Sequence, residues 1–287
     1  MNAASFYTTD NLTETIAKLV CETSGQDYTE KVRSRVETKL KRRFIELNLQ
    51  TFAEYVIYYQ VHEKAELKYL TAVLTTQASH FFSEFSHFEY ISDFVLKSLV
   101  PEIRKRNDQT LNVWSTACSR GHEAYSLAMY LKQALNLYGT DLQVRVTGTD
   151  SELDAVKFAQ AGVYPRGEMR DVPMQFLGND WERVSIAGVD MMRAKPALRR
   201  MVHFEYANLL GLKAKFPGQK FDLIFTRNVF SYFDESEIKE SCLELLTRMH
   251  PTGQLFVGLA ESLQGLGLPL EYCGPSVYGF PRPSETT

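Results

Sequence analysis

The feature that most restricts what this chain can fold into is an alternation of strand and helix that begins at Leu111. LNVWSTA is a short β-rich run ending in small residues, and HEAYSLAMYLKQAL follows it as a strong helix. VRVTGTD ends in an acid and precedes the helix SELDAVKFAQAG, which stops at Gly162. Strand and helix repeated in this way imply parallel βα units rather than an all-β or bundle fold. FDLIFTRN resumes the pattern as a nearly continuous apolar run, the type buried on both faces in a parallel sheet. The helix ESEIKESCLELLTRM, a turn at HPTG and the strand QLFVGLAES add another unit. EYCGPSVYGF predicts a hairpin turning through Gly274–Pro275.

Residues 163–205 break this rhythm. Pro165, Pro173 and Pro196 mix there with glycines, charges and β-like pieces such as RVSIAGV. Apolar residues stay frequent, so the segment reads as an inserted subdomain rather than a linker. The first ~90 residues read as helical instead. Val32, Val36, Leu40 and Phe44 recur every fourth residue as one apolar stripe. Lys31, Arg33, Arg35, Lys39, Lys41, Arg42 and Arg43 flank it, opposed only by Glu30 and Glu37. TFAEYVIYY is a further amphipathic helix with Thr51 as its cap, and a third runs through Glu63–Val73. A chain of 287 residues has room for a small and a large domain. The expected division is a helical domain over 1–90 and an α/β domain over 91–287, with the insertion at about 163–205.

A formal net charge of -3 argues against a general polyanion binder, so any acidic partner must meet a local patch. No basic-and-aromatic stripe supports nucleic-acid binding. The four cysteines, Cys21, Cys118, Cys242 and Cys273, lack the spacing of a metal or redox site and read as free thiols. No stretch approaches ~18 apolar residues and no signal-like segment opens the chain, so a cytoplasmic protein without membrane insertion is expected.

The first strand leads into Ser115-Thr116-Ala117-Cys118-Ser119-Arg120-Gly121-His122-Glu123. Small residues let a ligand approach this backbone, and the next helix presents unpaired N–H groups to a carboxylate. Neither the dinucleotide fingerprint nor the P-loop pattern is present. Asp150, at the end of the second strand, can accept both hydroxyls of a ribose, or it can cap the following helix. Together with the turn, it favours a nucleoside ligand without a pyrophosphate.

TEKVRSRVETKLKRRF, LTTQASHFFSE, VWSTACSRGHEAYSLAM, GTDSELDAVKFAQAGVY, ANLL, FDLIFTRNVFSYFD and HPTGQLFVGLAES stand in that order along the chain. In this series the chain resembles the CheR-type chemotaxis methyltransferases, which transfer methyl groups from S-adenosylmethionine to glutamates of bacterial chemoreceptors. The resemblance runs from about residue 27 to the end. It implies an α/β, Rossmann-like S-adenosylmethionine-dependent methyltransferase domain with an inserted small β-subdomain, preceded by an all-helical domain. It assigns the cofactor to Ala117, Asp150, Asn208, Leu209, Asn228 and Val229, with Gln77 and Ser79 from the edge of the helical domain. Asp150 takes the ribose, Asn208 lies near the adenine, and Asn228 lies near the amino-acid end. Tyr232 stands where the family has a tyrosine close to the transferred methyl. The basic helix, with Arg35, Lys39 and Arg42, is where the family contacts the acidic helical methylation segment of a receptor.

Several positions depart from the family pattern. Gln77 replaces an asparagine, Ser79 a threonine and Ser83 the active-site arginine. His122 stands where the family's acid is expected to hold the cofactor's ammonium group, and Arg120 replaces a small hydroxyl residue. Gly258-Leu259-Ala260-Glu261 takes the place of G-H-S-E. The loop Ser185-Ile186-Ala187-Gly188-Val189 lacks an arginine-glycine signature, which argues against tethering of a receptor tail peptide.

Methyl transfer to a carboxylate is an in-line displacement from a sulfonium. Glutamate, with a pKa of about 4.3, is already ionised at neutral pH, so no general base is needed. The protein must align oxygen, methyl and sulfur and exclude water. Ser83 supplies no charge to clamp an incoming carboxylate, and Arg120 is the candidate to do so from the other wall. The leading expectation is a protein-glutamate O-methyltransferase that leaves S-adenosylhomocysteine as product. The alternative is a degenerate module that binds S-adenosylmethionine or S-adenosylhomocysteine and docks onto a signalling complex.

Overall fold

The computed structural model describes residues 13–18, 33, 36, 40, 43–44, 47–75, 79–106, 109–209, 212, 216, 218–230 and 233–281. The chain divides into two compact units, Met1–Ala78 and Ser79–Thr287. The boundary expected near residue 90 therefore moves back to Ala78. The cause is packing: Phe81, Phe82, Phe88 and Ile91 are buried in the core of the larger unit.

In the smaller unit, α1 (Phe52–Thr75) joins the two helices expected from TFAEYVIYY and Glu63–Val73. They meet at His62, whose backbone departs from helical geometry (φ -117°, ψ 25°) and bends the helix. Thr51 caps the start as the sequence suggests. Its hydroxyl accepts the Glu54 N–H at 3.3 Å, and the Glu54 carboxylate accepts the Thr51 N–H at 3.3 Å in return. Tyr55, Val56 and Tyr59 pack with Ile16, Ala17, Val36 and Leu40, so two members of the apolar stripe are core residues. Arg43 is tied to Glu66 at 2.8 Å and lies over the Tyr69 ring. Arg35, Lys39 and Arg42 lie outside the described residues.

The larger unit opens with α2 (Phe85–Phe94), a π-turn (Val95–Leu99) and α3 (Val100–Arg104). The helix widens just before Pro101, which has no backbone N–H to give to a regular turn. Then come β1 (Thr110–Thr116), α4 (His122–Leu137), β2 (Gln143–Asp150) and α5 (Leu153–Ala161). Gly162 ends α5 in the left-handed region, as its place in the sequence suggests. Three short antiparallel strands, β3 (Val163–Pro165), β4 (Trp181–Ile186) and β5 (Val189–Ala194), form a separate sheet in the order β3-β5-β4. Ala187 and Gly188, both at positive φ, turn the β4–β5 hairpin.

The main sheet then resumes with β6 (Val202–Tyr206) and β7 (Phe221–Thr226). Because β6 pairs with β2, the excursion expected to reach residue 205 ends before Val202. The unit closes with α6 (Glu235–Leu246), β8 (Met249–Val257), β9 (Glu271–Gly274) and β10 (Val277–Gly279). Asp234 and Glu237 exchange side-chain-to-backbone hydrogen bonds of 2.9 Å at the start of α6. HPTG, expected to be a turn, lies within β8, where pairing with β7 and a shift of register carry it in extended form.

The sheet order is β6-β2-β1-β7-β8-β10-β9; β10 runs antiparallel to both its neighbours. From β1 the chain builds outward through β2 to β6, then returns to the other side of β1 for β7. That reversal makes the carboxyl ends of β1 and β7 the topological switch point, where ligands of such sheets bind. Alternate residues explain the apolar runs. Leu223 and Phe225 of β7 face one core and Ile224 the other, which Phe221 joins across a shift of register, so the strand is buried throughout.

Candidate functional site at the switch point

The backbone around the switch point is unusual. Ala117 (φ 48°) and Ser119 (φ 50°) follow β1, and Asn228 (φ 57°) follows β7. Phe82 (φ 55°) and Glu84 (φ 53°) lie on the strap that precedes α2. Non-glycine residues rarely take these angles, and such residues concentrate at ligand clamps. Gly121 (φ 85°) starts α4, where an added methyl would stand 2.8 Å from Ala159 Cβ and 2.9 Å from the Phe204 ring.

Asp150 ends β2 and is 9% exposed. One carboxylate oxygen accepts the Ser119 N–H at 2.7 Å; the other accepts the Glu152 N–H at 2.8 Å. Of the two roles left open for this acid, the contacts at the helix entry are present in the structure. It steadies the entry to α5 and is also fixed against the turn after β1. Ala117 lies in that turn. Asn208 is exposed just beyond β6 and Leu209 is buried beside it; Asn228 is exposed just beyond β7, with Val229 buried. Ser79 is exposed and Ser83 half-buried. Gln77 and Tyr232 lie outside the described residues.

Two site residues stand differently from what the sequence implied. His122 is 2% exposed, and its Nε2 lies 2.8 Å from a carboxylate oxygen of Glu168, with the Phe81 and Tyr164 rings edge-on to it. The carboxylate at the start of α4 belongs to its neighbour Glu123. Arg120 does not stand free to clamp an acceptor: it pairs with Glu168 at 3.1 Å and lies 3.7 Å over the Phe158 ring.

The charged network beneath the switch point leaves little mark in the sequence. Arg227, directly after β7, has a side chain 2% exposed and donates to Glu84 at 3.0 Å, with Glu123 at 3.2 Å. Its Nη2 also donates to the carbonyl (2.9 Å) and hydroxyl (3.0 Å) of Ser83. Glu123 accepts the Ser115 hydroxyl at 2.6 Å. Burial pushes the Glu123 carboxyl above its ordinary range, while Arg227 opposes the shift. Glu261 accepts N–H groups from Gly258 (2.6 Å), Asn228 (3.0 Å) and Phe230 (2.8 Å), and burial raises its pKa as well. A methyl on Gly258 would stand 2.9 Å from Glu261 Oε2, which two backbone N–H groups hold in place, and 3.1 Å from the Asn228 nitrogen, so a side chain there would push the loop apart. Within Gly258-Leu259-Ala260-Glu261, the two outer residues therefore build the loop. The available signal was a charge at each end of an apolar run, but nothing in the sequence says which charges meet.

Burial lowers the His122 pKa below its ordinary range, with Glu168 opposing. Burial and then the charge of Arg227 lower that of His87. Such imidazoles bind protons more readily in the unfolded chain. The stability they permit is therefore complete above the ordinary value of about 6.5 and falls as the pH drops through it toward the folded pKa. The melting temperature should fall from about pH 8 to about pH 5, and H122Q should make that decline shallower. An equally steep decline in H122Q would assign it to other groups.

Among the described residues no helix is long and apolar enough to cross a membrane. The family model described as CheR methyltransferase, SAM binding domain, matches residues 77–276, more than half of the chain. A chemotaxis protein methyltransferase of Borreliella burgdorferi is 28% identical, with 94% of each chain covered. One from Escherichia coli is also 28% identical, over 93% of this chain and 90% of the relative. Chemotaxis protein methyltransferase 1 of Pseudomonas aeruginosa is 30% identical, over 80% of this chain and 82% of the relative.

Proposed function

Since the chain belongs to the CheR methyltransferase family, we propose that it transfers methyl groups from S-adenosylmethionine to glutamate side chains of a chemoreceptor or related signalling protein. One observation carries the reading furthest. Asp150 is locked by two backbone N–H groups at the switch point, at the end of the strand next to β1. A carboxylate held there is aligned for the vicinal hydroxyls of a ribose.

The donor set suits the cofactor. Its sulfonium and ammonium groups are cationic, and Asp150 and Glu123 bring carboxylates to the ends of β2 and β1. In this reading Asp150 holds the ribose, and Glu123 rather than His122 faces the ammonium group. Asn208 and Leu209 flank the adenine, and Asn228 and Val229 flank the amino-acid end. When bound, the cofactor supplies a methyl group on a sulfonium. The chain's own work is to orient that group, keep water out and align the acceptor oxygen, with Tyr232 beside the methyl. The basic stretch of sequence that includes Arg35, Lys39 and Arg42 would draw the acidic helical segment of the receptor.

A second reading, binding without turnover, has one observation in its favour. The guanidinium that touches Ser83 is already held between Glu84 and Glu123, so it is not free to clamp an acceptor carboxylate. Calorimetry with S-adenosylhomocysteine, followed by transfer of tritiated methyl to receptor fragments, decides between the two. Binding with base-labile label on glutamate is the expected result. Binding without label selects the second reading, and no binding overturns both.

A further inference from the structure

We propose that Glu168, in the inserted segment, is a positioning residue for the cofactor, holding the turn after β1 in the shape that keeps Asp150 aligned; this rests on the cofactor reading above. Glu168 lies on a single helical turn, Arg166–Met169, that follows β3. Its two oxygens reach the residues on either side of Gly121: Oε1 lies 3.1 Å from Arg120 Nη1, and Oε2 lies 2.8 Å from His122 Nε2. The inserted segment makes a second tie, since the Tyr164 hydroxyl donates to the Arg120 carbonyl at 2.5 Å. A third hold comes from α5, where Phe158 carries the Arg120 guanidinium on its face.

The clasp falls on a backbone that needs one. Ala117 and Ser119 both occupy the left-handed region, a conformation that persists only where its surroundings impose it. It is this conformation that aims the Ser119 N–H at Asp150 Oδ2. The side-chain bonds of Glu168 fall on Arg120 and His122, the neighbours of that turn. It acts on the flanking residues, and its side chain is 30% exposed, enough shielding for its bonds to keep their strength. Were Glu168 only a tie between the insertion and the sheet, its loss would lower stability and leave the cofactor site as it is.

The test uses the full chain with E168A and E168Q. Glutamine keeps an acceptor for Arg120 and a partner for His122, so it preserves the clasp without the charge. E168A is expected to weaken S-adenosylhomocysteine binding roughly tenfold by calorimetry, the effect of misplacing one charge-assisted contact. Hydrogen exchange at the Ser119 amide should accelerate in the same variant. E168Q should stay within about threefold of the parent in affinity and keep Ser119 protected. If E168A fails to fold, R120M, which keeps the stem over Phe158 but removes one leg of the clasp, should still speed exchange at Ser119. Parental affinity and parental Ser119 protection in E168A, or in R120M where that variant stands in, would overturn the proposal. A parent chain that binds no S-adenosylhomocysteine would overturn the cofactor reading first, and this one with it.

Discussion

Replacing Arg227 by alanine should cost about 3–5 kcal/mol of stability, the expected effect of removing one partner from a buried ionic cluster. Its guanidinium is enclosed, and it is the charge that Glu84 and Glu123 share. Without it, two carboxylates from different elements face each other in a site where burial already disfavours the ionised form of Glu123. Ser83 also loses two hydrogen bonds, so the strap carrying Phe82 and Glu84 at positive φ loses its main anchor. Urea denaturation measures the loss, and a drop below about 1 kcal/mol would mean the network relaxes without its centre. Arg227→Lys should fall between the two, since an ammonium keeps the charge but cannot reach Glu84, Glu123 and Ser83 together.

Asp150→Ala is expected to weaken S-adenosylhomocysteine binding by about 100-fold or more, because two charge-assisted bonds to ribose, each about 1.5–3 kcal/mol, would be lost together. The same variant strands the Ser119 and Glu152 N–H groups, so stability must be measured alongside binding. Asp150→Asn is expected to lose part of both effects. Its amide carries one oxygen, so an NH2 group must face one of those two N–H donors. Calorimetry on protein shown to be folded at the working temperature gives the answer. An unchanged affinity in Asp150→Ala would reduce this acid to a helix-entry residue.

The central sheet was legible because burial on both faces leaves a plain mark. Val113 and Trp114 of β1 face opposite cores, as do Phe225 and Ile224 of β7, so both strands read as apolar runs. Gly162 and Thr51 were legible as helix punctuation because the backbone chemistry that favours them is local. HPTG was not, since its composition signals a turn while pairing with β7 holds it extended. The start of the larger unit is hidden in the sequence for a similar reason. Phe81 and Phe82 follow a helical stretch in sequence but bury their rings in the sheet's own core. In the site, Asp150 stood out at a strand end, whereas Arg227 and Glu84 meet across 143 residues. His122 drew attention as a departure from a pattern, yet the acid that matters to the network is the next residue along.

The left-handed residues at the ends of β1 and β7 have a consequence for anyone who would re-engineer the protein. Ser119 and Asn228 engage their partners through backbone N–H groups, which do not depend on which side chain the residue carries. The shape of the rim is therefore set by the backbone, and substitution at Ser119 or Asn228 is limited by the left-handed φ rather than by loss of a side-chain bond. A designer seeking a new methyl acceptor has the least latitude at Gly121 and Gly258, where an added methyl meets neighbouring atoms, and must leave Asn208 and Asn228 to the cofactor.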